Sequence, residues 1–173
     1  MTRRSVHIGL APIDWHVQPS QLPRFAGMSK ADNPYAGCMF FVANSLGRRL
    51  VKLADEAFHP LGLTPTQAFV LMSIGREPGI TMTRIAKELR LDLTTIIRTL
   101  DKMKTTGLLY TEPYKRTVRL YALPDGMEKV AEAKAAWKKL RIRYSHRLGT
   151  DRTTRLAADM DLAYLAITML DPE

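Results

Sequence analysis

TMTRIAKELRLDLTTIIRTLDKMKTTG, residues 81–107, reads as two short helices joined by a tight turn. Thr81 stands before Met82–Leu89 as an N-cap, and Asp92 does the same for Leu93–Thr106. The apolar positions follow the helical period. Ile85, Ala86 and Leu89 make the inner face of the first helix, and Ile96, Leu100 and Met103 that of the second. Gly107 is a natural stop, because a residue without Cβ enters the left-handed conformation that ends a helix. Only Arg90-Leu91-Asp92 separates the two helices, and the small Ala86 permits a close crossing. The pair is a helix-turn-helix.

The flanking sequence extends the pattern in both directions. Upstream, Thr64-Pro65-Thr66-Gln67 is a helix start: a capping hydroxyl, a proline at the first helical position and a glutamine three after the cap. The helix it opens, Pro65–Arg76, carries Phe69, Val70, Leu71, Met72 and Ile74, enough to be buried on most sides, and Pro78-Gly79 ends it. Before it, a long amphipathic helix runs from Cys38, with Phe41, Leu46, Leu50, Leu53, Ala57 and Leu61 on one stripe, closed by Pro60 and Gly62. Downstream, the period changes to short β-branched and aromatic runs. Leu108–Thr111 and Thr117–Leu123 flank Glu112-Pro113-Tyr114-Lys115-Arg116, a hairpin with a basic tip. Helix returns from about Asp125, marked by Met127, Val130, Trp137, Leu140, Tyr144 and Leu148, which are read as core. Thr150 is read as the cap of a last helix with Leu156, Met160, Ala163, Ile167 and Leu170 inward.

Residues 1–37 form an arm in which Pro12, Pro19, Pro23 and Pro34 break any helical period. Ile8, Leu10, Ile13, Trp15 and Val17 nonetheless make it too apolar for a freely solvated tail. The expected fold is mainly α with a small β-hairpin wing: a winged helix-turn-helix between N- and C-terminal dimerisation helices. The expected segments are an arm (1–37), a dimerisation helix (38–62), a winged helix-turn-helix (63–124) and C-terminal dimerisation helices (125–173).

The chain of 173 residues has a formal net charge of +9. Residues 77–122 hold nine Lys/Arg against five Asp/Glu, while residues 124–173 hold nine against eight. The excess therefore sits in the middle of the chain and in its N-terminal part, and a basic surface attracts nucleic acid, anionic membranes or acidic ligands. No apolar run approaches the roughly 20 residues of a membrane span. The N-terminus lacks the apolar segment of a secretory signal, and the single cysteine forms no internal disulfide; both fit a cytoplasmic protein without a membrane partner. His7, His16, His59 and His146 show no metal-ligand spacing, and no phosphate loop, nucleophile elbow or catalytic carboxylate pair is present. No enzyme activity, cofactor or metal is expected.

Residues 63–126 resemble the MarR family of winged helix-turn-helix regulators. The resemblance is sharpest in Leu63-Thr64-Pro65-Thr66-Gln67, Ile85-Ala86-Lys87-Glu88-Leu89, Asp92–Met103 and Gly107-Leu108-Leu109. It implies an obligate homodimer whose first and last helices interlock, binding a near-palindromic duplex operator, usually as a repressor that a small molecule or oxidant releases. This chain departs from the family in three places. Lys115-Arg116 stands where an Asp-Arg pair is common at the wing tip, the hairpin is about two residues shorter, and Arg90 replaces a frequent glycine in the turn.

Leu93, Thr94, Thr95, Ile97 and Arg98 project from the first turns of the second helix, placed to meet base edges or phosphates in a major groove. Arg84, Lys87, Lys102 and the tip residues Lys115 and Arg116 are further DNA candidates, the first three as phosphate contacts or as a solvated surface. For an effector, Phe40, Phe41 and Phe69 could wall a pocket. Arg48, Arg49 and Lys52 could then face a negative head-group, and the arm could fold Trp15 over the ligand. A small anionic aromatic such as an aromatic acid or its coenzyme A thioester meets those demands. The alternatives are an oxidant-sensing repressor, a non-specific architectural DNA binder and an interaction module without DNA binding. Cys38 and Ser45 keep the spacing of the thiol-sensing OhrR branch of the family. Pro65 and Lys52–Ala54 stand where that branch places activating tyrosines, which favours a core or interface cysteine over a sensor.

Overall fold

The computed structural model describes residues 33–35 and 37–169. The chain divides into a unit ending at Asn44 and a unit from Ser45 onward, and each is described by itself. Helix α1 spans Met39–Phe58. A short 3-10 turn, His59–Leu61, follows it and closes on Gly62, whose φ of 71° is left-handed. Then come α2 (Pro65–Arg76), β1 (Ile80–Thr81), α3 (Met82–Leu89), α4 (Leu93–Thr105), β2 (Leu109–Tyr114), β3 (Thr117–Ala122), α5 (Pro124–Leu148) and α6 (Thr150–Thr168). The fold is mainly helical with a small antiparallel sheet, a winged helix-turn-helix.

The local signals act where the residues place them. Thr64 and Gln67 form a complete capping box at α2: the Gln67 amide donates to Thr64 Oγ1, and the Thr64 amide donates to Gln67 Oε1. Thr81 accepts from the Arg84 amide at 3.3 Å. Asp92 accepts from the Thr95 amide at 2.7 Å. Gly107 ends α4 in a Schellman motif, in which the Leu108 amide donates to the Met103 carbonyl and the Gly107 amide to that of Lys104, with φ +70° at Gly107.

Four expectations need correction. Thr150 does not cap α6, because it is already helical; Gly149 holds the cap position and makes no side-chain bond. The hairpin tip is Lys115-Arg116 alone, since the strands run to Tyr114 and from Thr117. Pro113 is tolerated in β2 because the strand order β1-β3-β2 makes β2 an edge, where a missing N–H costs the ladder nothing. The two-residue strand β1 was not anticipated; Ile80 pairs with Leu120 and Thr81 with Arg119. Trp137 is 37% exposed, and Met127 is exposed as well, so neither is core.

The core of the second unit is built by Phe58, Leu71, Ile74, Ile80, Ile85, Ile96, Leu100, Met103 and Leu120, all essentially buried. It ties α2, the helix-turn-helix and the sheet into one body. Two glycines set how closely the helices approach. A Cβ on Gly75 would lie 2.6 Å from Val130 Cγ1, and one on Gly126 would lie 1.9 Å from the Leu108 carbonyl oxygen. Helix α5 thus leaves the sheet directly against the end of α4. None of the residues of α6 is buried, and Leu170 lies outside the described residues. Among the described residues, nothing buries the inward face expected for α6.

Candidate DNA interface and apolar cleft

Helix α3 is fixed against α2 by a polar network. Ser73, the buried polar residue of α2, donates from Oγ to Glu88 Oε1 at 2.8 Å, and Arg76 pairs with the other Glu88 oxygen. Burial would raise the Glu88 pKa, but the Ser73 bond and the Arg76 and Arg84 charges outweigh it and hold the carboxyl below its usual value. Asp92 is likewise lowered, chiefly by the Thr95 hydroxyl and then by the Thr95 amide. A charged Glu88 therefore ties α3 to α2, and a charged Asp92 caps α4.

The turn between α3 and α4 is another Schellman closure. The Leu91 amide donates to Ala86 and the Arg90 amide to Lys87, with Arg90 at φ +53°. This is the place where the family often has glycine, and Arg90 adopts the glycine-like backbone. Its guanidinium bonds Asp161 at 2.5 Å and lies 4.2 Å from the Tyr164 ring centre, so the turn reaches α6.

On α4, Leu93, Thr94, Ile97 and Arg98 share an outward face, spaced i, i+1, i+4 and i+5. Leu93 and Ile97 are 44% and 40% exposed. Exposed aliphatic groups at the start of such a helix suit contact with thymine methyls, beside an Arg able to bond guanine. Thr95 is committed differently: its hydroxyl donates to Asp92 Oδ2 at 2.6 Å. Lys87 and Lys102 are exposed. Arg84 is exposed and lies 3.9 Å from Glu77. Lys115 and Arg116 form the exposed wing tip. Sequence reading missed Arg119. Period-2 alternation was the available signal: Tyr110, Glu112 and Tyr114 face Tyr121, Arg119 and Thr117 across the ladder.

A cleft of about 410 Å³ opens between α1, α2, α5 and α6, lined by Leu46, Leu50, Val51, Ala54, Pro65, Phe69, Trp137, Leu140, Tyr144, Leu148, Thr153, Leu156, Ala157 and Met160. Of the expected effector residues only Phe69 lines it. Arg48, Arg49 and Lys52 are exposed on the side of α1 opposite Leu46, Leu50 and Ala54, as the 3.6-residue period requires. The cation beside the cleft is Arg141, whose guanidinium lies 5.1 Å from the Trp137 ring centre. Phe40 and Phe41 belong to the N-terminal unit, where Phe41 packs on Tyr35 with ring centres 5.8 Å apart and Phe40 is exposed. Cys38 is exposed too, which sets aside the core half of the core-or-interface expectation. Trp15, with all of residues 1–32 of the arm, lies outside the described residues. Among the described residues no group of metal ligands occurs, and no helix is long and apolar enough to cross a membrane.

A second helix with exposed Leu93, Thr94, Ile97 and Arg98, a basic two-residue wing tip and a capped helix-turn-helix define the winged helix-turn-helix class of fold. Residues 61–115 match the model of the MarR family, so this segment of the chain is similar to that family. Solved structures share the fold. The transcriptional regulator MosR of M. tuberculosis superposes with a TM-score of 0.66 at 24% identity, over 76% of this chain and 98% of that one. The repressor CouR bound to a 23-mer DNA duplex gives 0.67 at 23% identity, over 82% and 99%. CouR from Rhodococcus jostii RHA1 bound to p-coumaroyl-CoA gives 0.63 at 18%, over 78% and 93%. Among curated protein sequences none matches.

Proposed function

We propose that this protein is a homodimeric repressor that leaves a near-palindromic operator when a small aromatic anion, an aromatic acid or its coenzyme A thioester, enters the cleft beside Phe69 and Trp137. The observation that carries the reading is the cleft itself. At about 410 Å³ it falls within the usual size of small-molecule sites, roughly 300–1,000 Å³. Its walls are aliphatic and aromatic, with Tyr144 and Thr153 as the polar exceptions. Because α2 contributes Pro65 and Phe69 while α6 contributes Leu156 and Met160, a ligand there touches both the DNA-binding body and the terminal helix. Arg141 is the cation for the negative group, in place of the Arg48, Arg49 and Lys52 cluster. The p-coumaroyl-CoA held by the structurally similar CouR is a ligand of this chemistry and supports the choice.

Each copy of the dimer would meet DNA through Leu93, Thr94, Ile97 and Arg98 in the major groove, with Arg84, Lys87, Lys102, Lys115 and Arg116 on phosphates. Thr95 supports them by holding the Asp92 cap. An affinity for the ligand about 100-fold higher in the free than in the DNA-bound form, worth ~2.7 kcal/mol, is enough to release the operator. The test is titration of hydroxycinnamic and benzoic acids and their coenzyme A thioesters against the protein on a duplex selected from a random pool. Release by a ligand of this class, weakened in Phe69→Ala and Arg141→Gln, is the expected result. Release by peroxide alone, lost in Cys38→Ser, would replace this reading with the oxidant-sensing one.

A further inference from the structure

The outward face of the wing holds a cluster that the reading above does not use. Across the β2–β3 ladder, Glu112 stands opposite Arg119, and Tyr114 opposite Thr117. A carboxylate directly opposite a guanidinium is the usual cross-strand partner. Yet among the described residues Arg119 forms no ion pair. Its guanidinium carbon instead lies 3.8 Å from the centre of the Tyr114 ring. Lys115 Nζ lies 5.3 Å from the same ring centre, and Lys115 takes a left-handed φ of +51° at the tip. One half-buried ring therefore attracts two cations on the two sides of a two-residue turn. Further along the same face Tyr110 and Tyr121 stack, with centres 5.2 Å apart and planes 19° apart. Gly79 leaves room for the Tyr121 hydroxyl, which a Cβ there would approach to 3.0 Å.

A carboxylate partner would cancel the charge of Arg119 and occupy its donors. An aromatic face does neither. A guanidinium lying over a ring keeps its N–H edges directed outward, where they can bond phosphate oxygens. It also gives up side-chain freedom before DNA arrives, which lowers the ordering cost of binding.

We propose that Tyr114 is a positioning residue for DNA binding, its ring holding Arg119 and Lys115 as a pre-ordered cationic face that, with Arg116, docks the wing on the phosphate backbone. This rests on the DNA-binding reading, and Arg119 becomes a phosphate contact beyond those assigned above. The ring face carries the effect, so the hydroxyl is dispensable.

The experiment measures binding of the full chain to a fluorescent duplex of about 30 base pairs of mixed sequence, between about 50 and 200 mM salt. Tyr114→Leu is expected to weaken binding about threefold to tenfold and to lower the slope of log affinity against log salt by about 1 to 2, since each lost phosphate contact removes roughly 0.9. Tyr114→Phe is expected to keep both affinity and slope. Arg119→Gln should lower the slope by about 0.9 by itself, and Tyr114→Leu should cost less once Arg119 is gone. The Arg119→Gln arm keeps the idea testable if the leucine variant does not fold, because an unchanged slope there overturns it. Equal binding by wild type and Tyr114→Leu overturns the positioning role while leaving DNA binding intact, and equal loss in Leu and Phe assigns the effect to the hydroxyl and overturns it too. Failure of the wild-type protein to bind any duplex would instead overturn the DNA-binding reading beneath it.

Discussion

Arg90 illustrates how much one residue settles. Its backbone is left-handed at φ +53°, a region costing an L-residue roughly 1 kcal/mol or more relative to glycine. Its side chain is 40% exposed against 54% for Asp161, so the ion pair returns little. Arg90→Gly should therefore unfold at a urea midpoint close to wild type, whereas Arg90→Ala, keeping the strain and losing the Asp161 and Tyr164 contacts, should be about 1 kcal/mol less stable than the glycine variant. Equal midpoints for glycine and alanine would show that the backbone is not strained. Glu88 makes a pH-dependent contribution. Its pKa is depressed in the folded protein from 4.5, so the stability it adds is fully present above that value and is lost as pH falls through the lower folded value. Glu88→Gln should accordingly show a shallower loss of Tm than wild type as pH drops from about 5 to about 3; parallel curves would deny the Ser73–Glu88–Arg76 network its role.

At the scale of elements, the two close approaches to α5 separate by what the new atom meets. Gly126→Ala drives a Cβ into the Leu108 carbonyl oxygen at 1.9 Å, the same oxygen that accepts the Leu123 amide at 3.0 Å. Backbone cannot yield there cheaply, and a loss above about 2 kcal/mol in chemical denaturation is expected. Gly75→Ala meets the side chain of Val130 instead. It should cost about 1–3 kcal/mol as overpacking, and Val130→Ala in the same chain should return part of it. Additive losses would mean that α2 and α5 do not meet at this pair. Helix α4 carries its own test: Arg98→Ala should weaken binding to a selected duplex by about 1–3 kcal/mol and to random DNA by less. An equal loss on both would make Arg98 a phosphate contact.

For the whole molecule, α6 is the element that stays most exposed among the described residues. Leu156, Met160, Leu162, Leu165 and Ile167 are all exposed along it, more apolar surface than a soluble helix ordinarily leaves to water. A second copy packed around this helix is the proposed dimer. Leu162→Glu with Ile167→Glu should shift sedimentation from dimer to monomer at micromolar concentration and cost DNA affinity with it, because two half-sites are no longer bound together. A double variant that remains dimeric would place the interface elsewhere.

The helix-turn-helix was readable along the chain because its signals are local. A cap and its amide, as at Thr64, Thr81 and Asp92, lie within three residues of each other, and the Gly107 stop and the Ile96, Leu100 and Met103 stripe need only one helix to be expressed. What lay beyond that range depended on where distant segments cross. Thr150 looks like a cap and is not one, since Gly149 already turns the chain. Trp137 has the period of a core residue and instead walls a cleft, because among the described residues no element covers it. Arg48, Arg49 and Lys52 form a cluster in sequence, but the helix turns them away from the cleft and Arg141, nearly a hundred residues on, stands beside it. The sequence by itself determined the order of the helices and the hairpin, the caps at Thr64, Thr81 and Asp92, and the basic middle segment, through contacts closed within a few residues. Only the tertiary structure decided which cation meets which ring, at Tyr114, Trp137 and Tyr164, because a long flexible side chain chooses its partner after the backbones have been brought together.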